Sequence, residues 1–343
     1  MSIDWTHVER VLVVKLRSIG DTVLATPSLT ALRRFLPDAE IDVLLEDWVA
    51  PVLDGFEGVN VIPVGKGTLV RLGVARQLRS RHYDVAFNLH GGTTATMFVR
   101  ASRARHRVGY DYYQYSFLYN HLAPPASIFW NQQETHSAEQ QLALLGFVGV
   151  PVDDRPKSHL ALTDKGRTAR VNEWSKGGSY VLFHPTSAFF TKQWATENFA
   201  RTAEFLAEKG LGLVAIASKN ENETLEKLKE VSGVRIATFD DLSLPEITAL
   251  ASKAKLFVGN DSGIAHIAAA VNTPSVVIFG SSNRAHWRPW TNAPNEIVFN
   301  ELPCQPCPGY RCEVFGEPKC ILELTVDKVL AAVERVLEKS RDQ

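Results

Sequence analysis

The sequence predicts an α/β protein made of two doubly wound domains, each a parallel sheet with helices on both faces. Three observations indicate this fold class. The chain has 343 residues, which is more than a single hydrophobic core usually holds. Short apolar runs alternate with longer helical patterns, which is the rhythm of βαβ units. The same rhythm starts again in the second half of the chain, so two similar domains in tandem are predicted.

In the first half, four apolar runs are predicted as strands, at residues 11–16, 41–45, 59–64 and 84–89. Residues 22–36 carry apolar side chains at helical spacing and are followed by Pro37, which cannot continue a helix. This pattern predicts one helix over 22–36. Several prolines and polar clusters at 124–156 are typical of a passage between domains.

In the second half, strands are predicted at residues 180–183, 213–217, 234–238, 256–258 and 275–279. Residues 326–337 have the amphipathic pattern of a helix. The predicted organisation is an N-terminal domain at 1–165, a C-terminal domain at 166–325 and a closing helical segment at 326–343.

The composition is that of an ordinary globular protein, with 45% hydrophobic and 22% charged residues and a formal net charge of −1. This balance predicts no nucleic-acid partner. Arginines cluster at residues 33–34, 71–81 and 100–107, which favours an anionic partner for the first half. The N-terminus lacks a signal-peptide pattern, and the longest apolar runs are shorter than the roughly 20 residues of a membrane span. A cytoplasmic protein is therefore expected, with membrane-surface contact through the basic half as a hypothesis.

The first chemical motif follows the first predicted strand and ends in Gly20-Asp21. Ligands of open α/β sheets bind at the carboxyl ends of the strands. A carboxylate held there suits a general base that takes a proton from a hydroxyl group. The alternative is that Asp21 only caps the helix, because aspartate is favoured at helix starts.

The second motif, His184-Pro185-Thr186-Ser187, follows the first strand of the second half, and Lys192 comes soon after it. Hydroxyl groups, exposed amides and a lysine suit a diphosphate. The alternative is a polar loop with a solvated lysine.

The third motif is Asn260-Asp261-Ser262-Gly263, where a strand ends and a helix of small residues begins. A helix N-terminus offers free amides to an anion, and Asp261 can accept hydrogen bonds from sugar hydroxyls. His266 lies about one turn into the helix, where it either faces the same ligand or packs in the core.

The four cysteines all fall late in the chain, at Cys304, Cys307, Cys312 and Cys320. A CxxC pair followed by two more cysteines is compatible with a structural zinc site, although the second pair lacks CxxC spacing. Reduced structural thiols are the alternative, because disulfides are not expected in the cytoplasm.

In this order, the motifs resemble the lipopolysaccharide heptosyltransferase family, which are inverting glycosyltransferases of the GT-B fold. The resemblance covers nearly the whole chain and rests on these segments: Val13 to Asp21 with Ala25-Thr26-Pro27, Asn88-Leu89-His90-Gly91, Arg107-Val108-Gly109-Tyr110, His184-Pro185-Thr186, Lys192-Gln193-Trp194, and Asn260-Asp261-Ser262-Gly263 with His266. Pro185-Thr186, residues 266–274 and Trp287-Arg288-Pro289-Trp290 look most like the branch called heptosyltransferase III.

The resemblance implies two Rossmann-like domains facing across a cleft. It implies ADP-L-glycero-D-manno-heptose as donor, the lipid A core as acceptor, direct displacement without a metal, and no required cofactor. Asp21 would be the general base. The donor would be held by Thr186, Ser187, Lys192, Asp261, Ser262, Gly263 and His266. The adenosine pocket would lie near residues 219–223 and 241–244.

Three other functions compete with this interpretation. A nucleotide-dependent oxidoreductase also uses Rossmann domains, but no GxGxxG follows the first strand. A non-catalytic protein that binds a sugar nucleotide would not need Asp21. A GT-B glycosyltransferase with another nucleotide-sugar donor is the third, because the motifs indicate nucleotide-sugar handling more directly than the sugar itself.

Overall fold

The computed structural model describes residues 3–176, 178–307 and 310–341. The chain divides into two compact units, 1–161 and 162–343. The division therefore lies four residues before the predicted one at 165. Within the described ranges, no helix is long and apolar enough to cross a membrane.

The first unit contains a six-stranded parallel sheet in the order β3-β2-β1-β4-β5-β6. Its strands are β1 (Arg10–Leu16), β2 (Glu40–Glu46), β3 (Asn60–Val64), β4 (Val85–Asn88), β5 (His106–Tyr110) and β6 (His121–Ala123). The first strand pairs in parallel with both β2 and β4. All strand pairings in this sheet are parallel, so the predicted fold class holds for this unit.

The helices of this unit are α1 (Ile19–Val23), α2 (Thr26–Phe35), α3 (Thr68–Ser80), α4 (Gly92–Ser102), α5 (Ala126–Trp130) and α6 (Ser137–Gly146). The single helix predicted over 22–36 is wrong, because α1 and α2 are separated by a break. Pro27 has no N–H to donate to the carbonyl of Val23. The hydroxyl of Thr26 donates to that carbonyl instead, at 2.7 Å.

The second unit has a six-stranded parallel sheet in the order β12-β11-β10-β7-β8-β9. Its strands are β7 (Tyr180–His184), β8 (Gly212–Ile216), β9 (Ala237–Phe239), β10 (Leu256–Asn260), β11 (Ser275–Ile278) and β12 (Asn295–Val298). Counted from its own first strand, this sheet has the same strand order as the first. Both are doubly wound, and their winding reverses between β1 and β4 and between β7 and β10.

The helices of the second unit are α7 (Ala169–Lys176), α8 (Thr196–Glu208), α9 (Asn222–Val231), α10 (Leu244–Lys253), α11 (Gly263–Ala270), α12 (Arg284–Trp287), α13 (Lys319–Leu322) and α14 (Val326–Lys339). The predicted closing helix is α14. It packs on β11, β12 and α8, so it belongs to the core of the second unit. The predicted segment 326–343 is described as far as residue 341.

Four strands differ from the sequence predictions. The run predicted at 234–238 forms a strand only at Ala237–Phe239, and β5, β6 and β12 were not predicted. Three of these four, β6, β9 and β12, are edge strands. An edge strand has a neighbour on one side only and does not need a continuous apolar run. The fourth, β5, begins with two polar residues, His106 and Arg107.

Gly73 lies in the interior of α3 at a site that does not require glycine. A Cβ atom built there meets nothing within 4 Å. Replacing Gly73 with Ala should therefore raise the free energy of unfolding by about 0.5–1 kcal/mol, because alanine loses less conformational entropy in a helix. Urea unfolding followed by circular dichroism measures the change.

Gly67, which precedes the same helix, provides the matched control. Its φ is +105°, a conformation that L side chains rarely adopt. Gly67→Ala should therefore lower stability although its Cβ also meets nothing within 4 Å. Equal effects of the two substitutions would contradict the description of this helix.

Candidate functional site

In the first unit, two loops meet at the point where the winding reverses. One follows β1 and leads into α1, and the other follows β4 and leads into α4. The β1 end is irregular, since its pairing with β2 shifts register between Val14 and Leu16. Leu16 has a φ of +49°, and a non-glycine residue in that region costs about 1–3 kcal/mol. Such strain is typical of a functional loop.

Asp21 is held by two side chains from its own loop and strand. Lys15 Nζ donates to Asp21 Oδ1 at 3.0 Å, and Ser18 Oγ donates to Asp21 Oδ2 at 3.0 Å. The Lys15 side chain is 4% exposed and the Asp21 side chain is 30% exposed. The N-cap of α1 is Ser18, and Asp21 is the third residue of the helix. Asp21 therefore does not serve as the N-cap, and its carboxylate remains partly open to solvent.

The surroundings keep this carboxylate ionised. Burial alone would raise the pKa of Asp21, but the charge and hydrogen bond of Lys15 and the hydrogen bond of Ser18 outweigh burial and lower it. Burial, together with the charge of Lys15, lowers the pKa of His90, which favours its neutral form. An ionised carboxylate beside a neutral imidazole can accept a proton or a hydrogen bond from a hydroxyl group.

The loop after β4 is shaped by Asn88. Its Oδ1 accepts hydrogen bonds from the backbone N–H groups of His90 and Gly91, at 3.0 and 2.9 Å. Lys15 Nζ also donates to the carbonyl of Leu89 at 3.0 Å. Lys15 therefore connects Asp21 to the second loop, so the motif around Asn88 and the motif around Asp21 adjoin in the fold.

In the second unit, Asp261 connects three loops. Its Oδ2 accepts from Lys192 Nζ at 2.9 Å and from Ser282 Oγ at 2.5 Å. Ser187 Oγ lies 3.5 Å from the Asp261 carbonyl oxygen. These residues follow β10, β7 and β11, whose carboxyl ends lie at one edge of the sheet. The structure therefore brings Ser187, Lys192 and Asp261 together, while their contact with a donor stays a prediction, and it adds Ser282, which the sequence analysis missed.

His184 connects the two loops at the reversal of winding. Its Nδ1 lies 3.1 Å from Ser262 Oγ and its Nε2 lies 3.3 Å from Thr186 Oγ1. Burial lowers the pKa of His184 to about 4, so the ring is neutral at physiological pH. Thr186 and Ser262, both predicted to bind the donor, therefore share one neutral partner.

Glu221 also lies at this edge of the sheet. Burial opposes its ionisation, but hydrogen bonds from the hydroxyl and the backbone N–H of Ser218 outweigh burial and lower its pKa. The predicted adenosine region 219–223 included Glu221 without singling it out. The signal was available in the sequence, since Ser218-Lys219-Asn220-Glu221 follows a strand and has the spacing of a capping box, which the structure contains.

The helix α11 begins at Gly263, and the side chain of its N-cap residue, Ser262, makes no capping hydrogen bond. The amides of the first turn are therefore available to an anion. His266 is buried within this helix, and its contact with a ligand stays a prediction. Gly280, after β11, has no room for a side chain, because a Cβ atom there would lie 2.1 Å from the Thr191 carbonyl oxygen.

The four cysteines are free thiols, and Cys320 is buried. Burial and the neighbouring thiols raise the pKa of Cys320 to about 11. Throughout the described part of the chain, no group of three or more His, Cys, Asp or Glu side chains is arranged to hold a metal ion. A structural metal site at Cys304, Cys307, Cys312 and Cys320 stays a prediction.

The chain matches glycosyltransferase family 9 (heptosyltransferase) over residues 71–315. It belongs to this family. Lipopolysaccharide heptosyltransferase 3 of Escherichia coli is 29% identical over 281 residues, which cover 75% of this chain and 79% of that protein. These results confirm the family that the motifs predicted. The chain is therefore an enzyme, a glycosyltransferase.

Two solved structures show that the heptosyltransferase has the expected GT-B fold. E. coli ADP-heptose lps heptosyltransferase II has a TM-score of 0.81 and 20% identity and covers 97% of this chain and 99% of its own. E. coli heptosyltransferase WaaC with ADP has a TM-score of 0.73 and 19% identity, and the match covers 95% of this chain and 99% of the WaaC chain.

The lowered pKa of Asp21 predicts a pH-dependent contribution to stability. A depressed carboxyl pKa stabilises the folded state above the ordinary value of 3.8, and this stabilisation is lost as the pH falls through the lowered value. The difference in unfolding free energy between the wild type and Asp21→Asn should therefore be largest at neutral pH and shrink in acid. Urea unfolding at several pH values measures it. A difference that grows in acid would contradict the Lys15–Asp21 ion pair.

Proposed function

We propose that this enzyme transfers L-glycero-D-manno-heptose from ADP-heptose to the inner core of lipopolysaccharide, as a heptosyltransferase of type III. Similarity to a lipopolysaccharide heptosyltransferase 3, and to a heptosyltransferase whose structure contains ADP, supports this donor and acceptor. One observation supports the proposed chemistry. Each sheet presents a charged group at its reversal of winding, with an ionised carboxylate in the first unit and a lysine beside a helix N-terminus in the second.

The second unit would hold the donor. Lys192 and the free amides at the start of α11 suit a diphosphate, and the hydroxyls of Thr186 and Ser187 add donors from the loop after β7. Asp261, Ser262, Gly263 and His266 would contact the sugar and phosphates. Lys192 is paired with a buried aspartate, so the diphosphate would share a lysine whose position is already fixed.

The first unit would supply the base. Asp21 would accept the proton of the acceptor hydroxyl while the oxygen of that hydroxyl attacks the anomeric carbon. The bond between the anomeric carbon and the diphosphate oxygen of ADP would break on the opposite face. Positive charge grows on the sugar and negative charge on the departing diphosphate, so Lys192 and the helix amides stabilise the transition state. The configuration at the anomeric carbon is inverted, because a single displacement occurs.

The acceptor would be the lipid A core, whose lipid portion is embedded in a bilayer. The proposal therefore includes peripheral contact with the cytoplasmic face of the inner membrane. The cytoplasmic location expected from the sequence stays a prediction, and no nucleic acid takes part in the proposed reaction.

The test of this function is heptose transfer from ADP-heptose to inner-core acceptors of defined length. Asp21→Asn keeps the size of the side chain but removes the base, so transfer should fall by about 100-fold or more. ADP binding should persist, because the second unit would hold the donor. Loss of ADP binding together with transfer would show that Asp21 supports the structure and would contradict its role as base.

Donor identity is tested separately by thermal shift with ADP, UDP and GDP. A ligand that binds only the folded protein raises the free energy of unfolding by RT ln(1 + L/Kd), where L is the concentration of free ligand. Stabilisation by ADP alone supports the proposed donor. Stabilisation by UDP or GDP alone would indicate a GT-B glycosyltransferase with another donor.

Lys192 should contribute strongly to diphosphate binding. Lys192→Met removes a charged donor and leaves Asp261 buried without its cation, so the Kd for ADP should rise by about 10- to 100-fold. Lys227→Met is the matched control, because Lys227 forms an exposed pair with Glu197 in the same unit. Calorimetric titration with ADP compares the two variants, and an equal, small effect of both would remove Lys192 from the donor site.

A further inference from the structure

The helix α3 exposes far more of its surface than a helix on a sheet usually does. Of its 13 residues only Leu78 is buried. In its first two turns Leu69 is 84% exposed, Val70 is 50% exposed and Leu72 is 47% exposed. Adjacent exposed aliphatic side chains forgo the free energy that burial would give, and such a patch is typical of an interaction surface.

The same segment is strongly cationic. Residues 66–81 contain Lys66, Arg71, Arg76, Arg79 and Arg81 and no acidic residue. Two of these cations pair with acids of the sheet, since Arg71 lies 3.5 Å from Glu46 and Arg81 lies 2.5 Å from Asp42. Lys66, Arg76 and Arg79 are exposed.

The neighbouring helix extends this surface. α4 packs against α3, and its exposed positions include Thr93, Met97 and Arg100, which have the spacing of one helix face. Met97 is 47% exposed. Residues 92–105 also contain no acidic residue and include the exposed Arg103 and Arg105. We call the exposed side chains of residues 66–81 and 92–105 the α3–α4 face.

We propose that the α3–α4 face docks the enzyme on a bilayer that contains anionic phospholipids. Leu69, Val70 and Leu72 enter the boundary between headgroups and acyl chains, while Arg76 and Arg79 contact lipid phosphates. This combination of aliphatic and basic side chains is the pattern that binds anionic membrane surfaces. The inference deepens the proposed function, since it names the surface that would bring the enzyme to a lipid-anchored acceptor.

Charge complementarity favours a bilayer over the other occupants. A nucleic acid would use the arginines but leave the exposed aliphatic side chains of α3 in water. A second copy of this face would bring arginines against arginines, and like charges repel. A bilayer with anionic headgroups above an apolar layer satisfies both parts of the α3–α4 face, which these two occupants do not.

The experiment is co-sedimentation of the full chain with phosphatidylcholine vesicles that contain about one third phosphatidylglycerol, compared with phosphatidylcholine alone. The wild type should sediment with the anionic vesicles at low salt and be released at high salt. Binding should fall about tenfold or more in Leu69→Ser/Leu72→Ser and in Arg76→Gln/Arg79→Gln, because each pair removes one half of the interaction.

The control is Val231→Ser/Lys227→Gln, which removes an exposed aliphatic and an exposed basic residue from the second unit. It should bind vesicles like the wild type. All variants should keep their circular dichroism, their ADP binding and their transfer to a lipid-free core oligosaccharide, so that failure of docking and failure of the proposed function are distinguished.

Equal vesicle binding by the wild type and both α3 variants would overturn the proposal. So would light scattering that shows a wild-type dimer and monomeric α3 variants, because the face would then join two copies. Wild-type binding to neutral vesicles that does not respond to salt would also overturn it, since the arginines would have no role.

Discussion

The reversal of winding in each parallel sheet is the constraint on which the rest of the structure depends. Because β1 pairs with β4 and β7 pairs with β10, the loops that follow these strands diverge to opposite faces and leave a crevice at the strand ends. The residues whose chemistry the enzyme would use lie on these loops, in the helices that the loops lead into, or on the loop after a neighbouring strand. The sheets therefore fix the position of the site before any side chain contributes to it.

Two ion pairs complete this arrangement. Lys15–Asp21 and Lys192–Asp261 are largely buried, and burying charges costs several kcal/mol that pairing only partly offsets. Hydrophobic residues of similar size would give comparable stability, so these pairs are better explained by a reaction in which charge moves. Family membership gives that reaction its class, and in the proposed reaction each pair supplies one of the charged groups.

The helices α3 and α4 of the first unit bury some side chains and expose others. α3 and α4 contribute Leu78, Phe98 and Val99 to the core, which is enough to hold them in place. Their outer surface is free to serve another purpose, and it carries aliphatic and basic residues without acids. An enzyme that transfers sugar to a lipid-anchored acceptor benefits from such a surface, because substrate and enzyme then meet in two dimensions.

The sequence by itself determined the fold class, the central strands, the family, and Asp21, Thr186, Ser187, Lys192 and Asp261 as candidate site residues. It could do so because strands buried on both faces must be apolar and because polar residues at their ends stand out. The break after α1 and the pairing of Lys15 with Asp21 join residues at most six positions apart, but their side-chain geometry is seen only in the folded chain. Only the tertiary structure decided the edge strands and the inclusion of Ser282, because strand order, which local patterns do not encode, decides which distant segments meet.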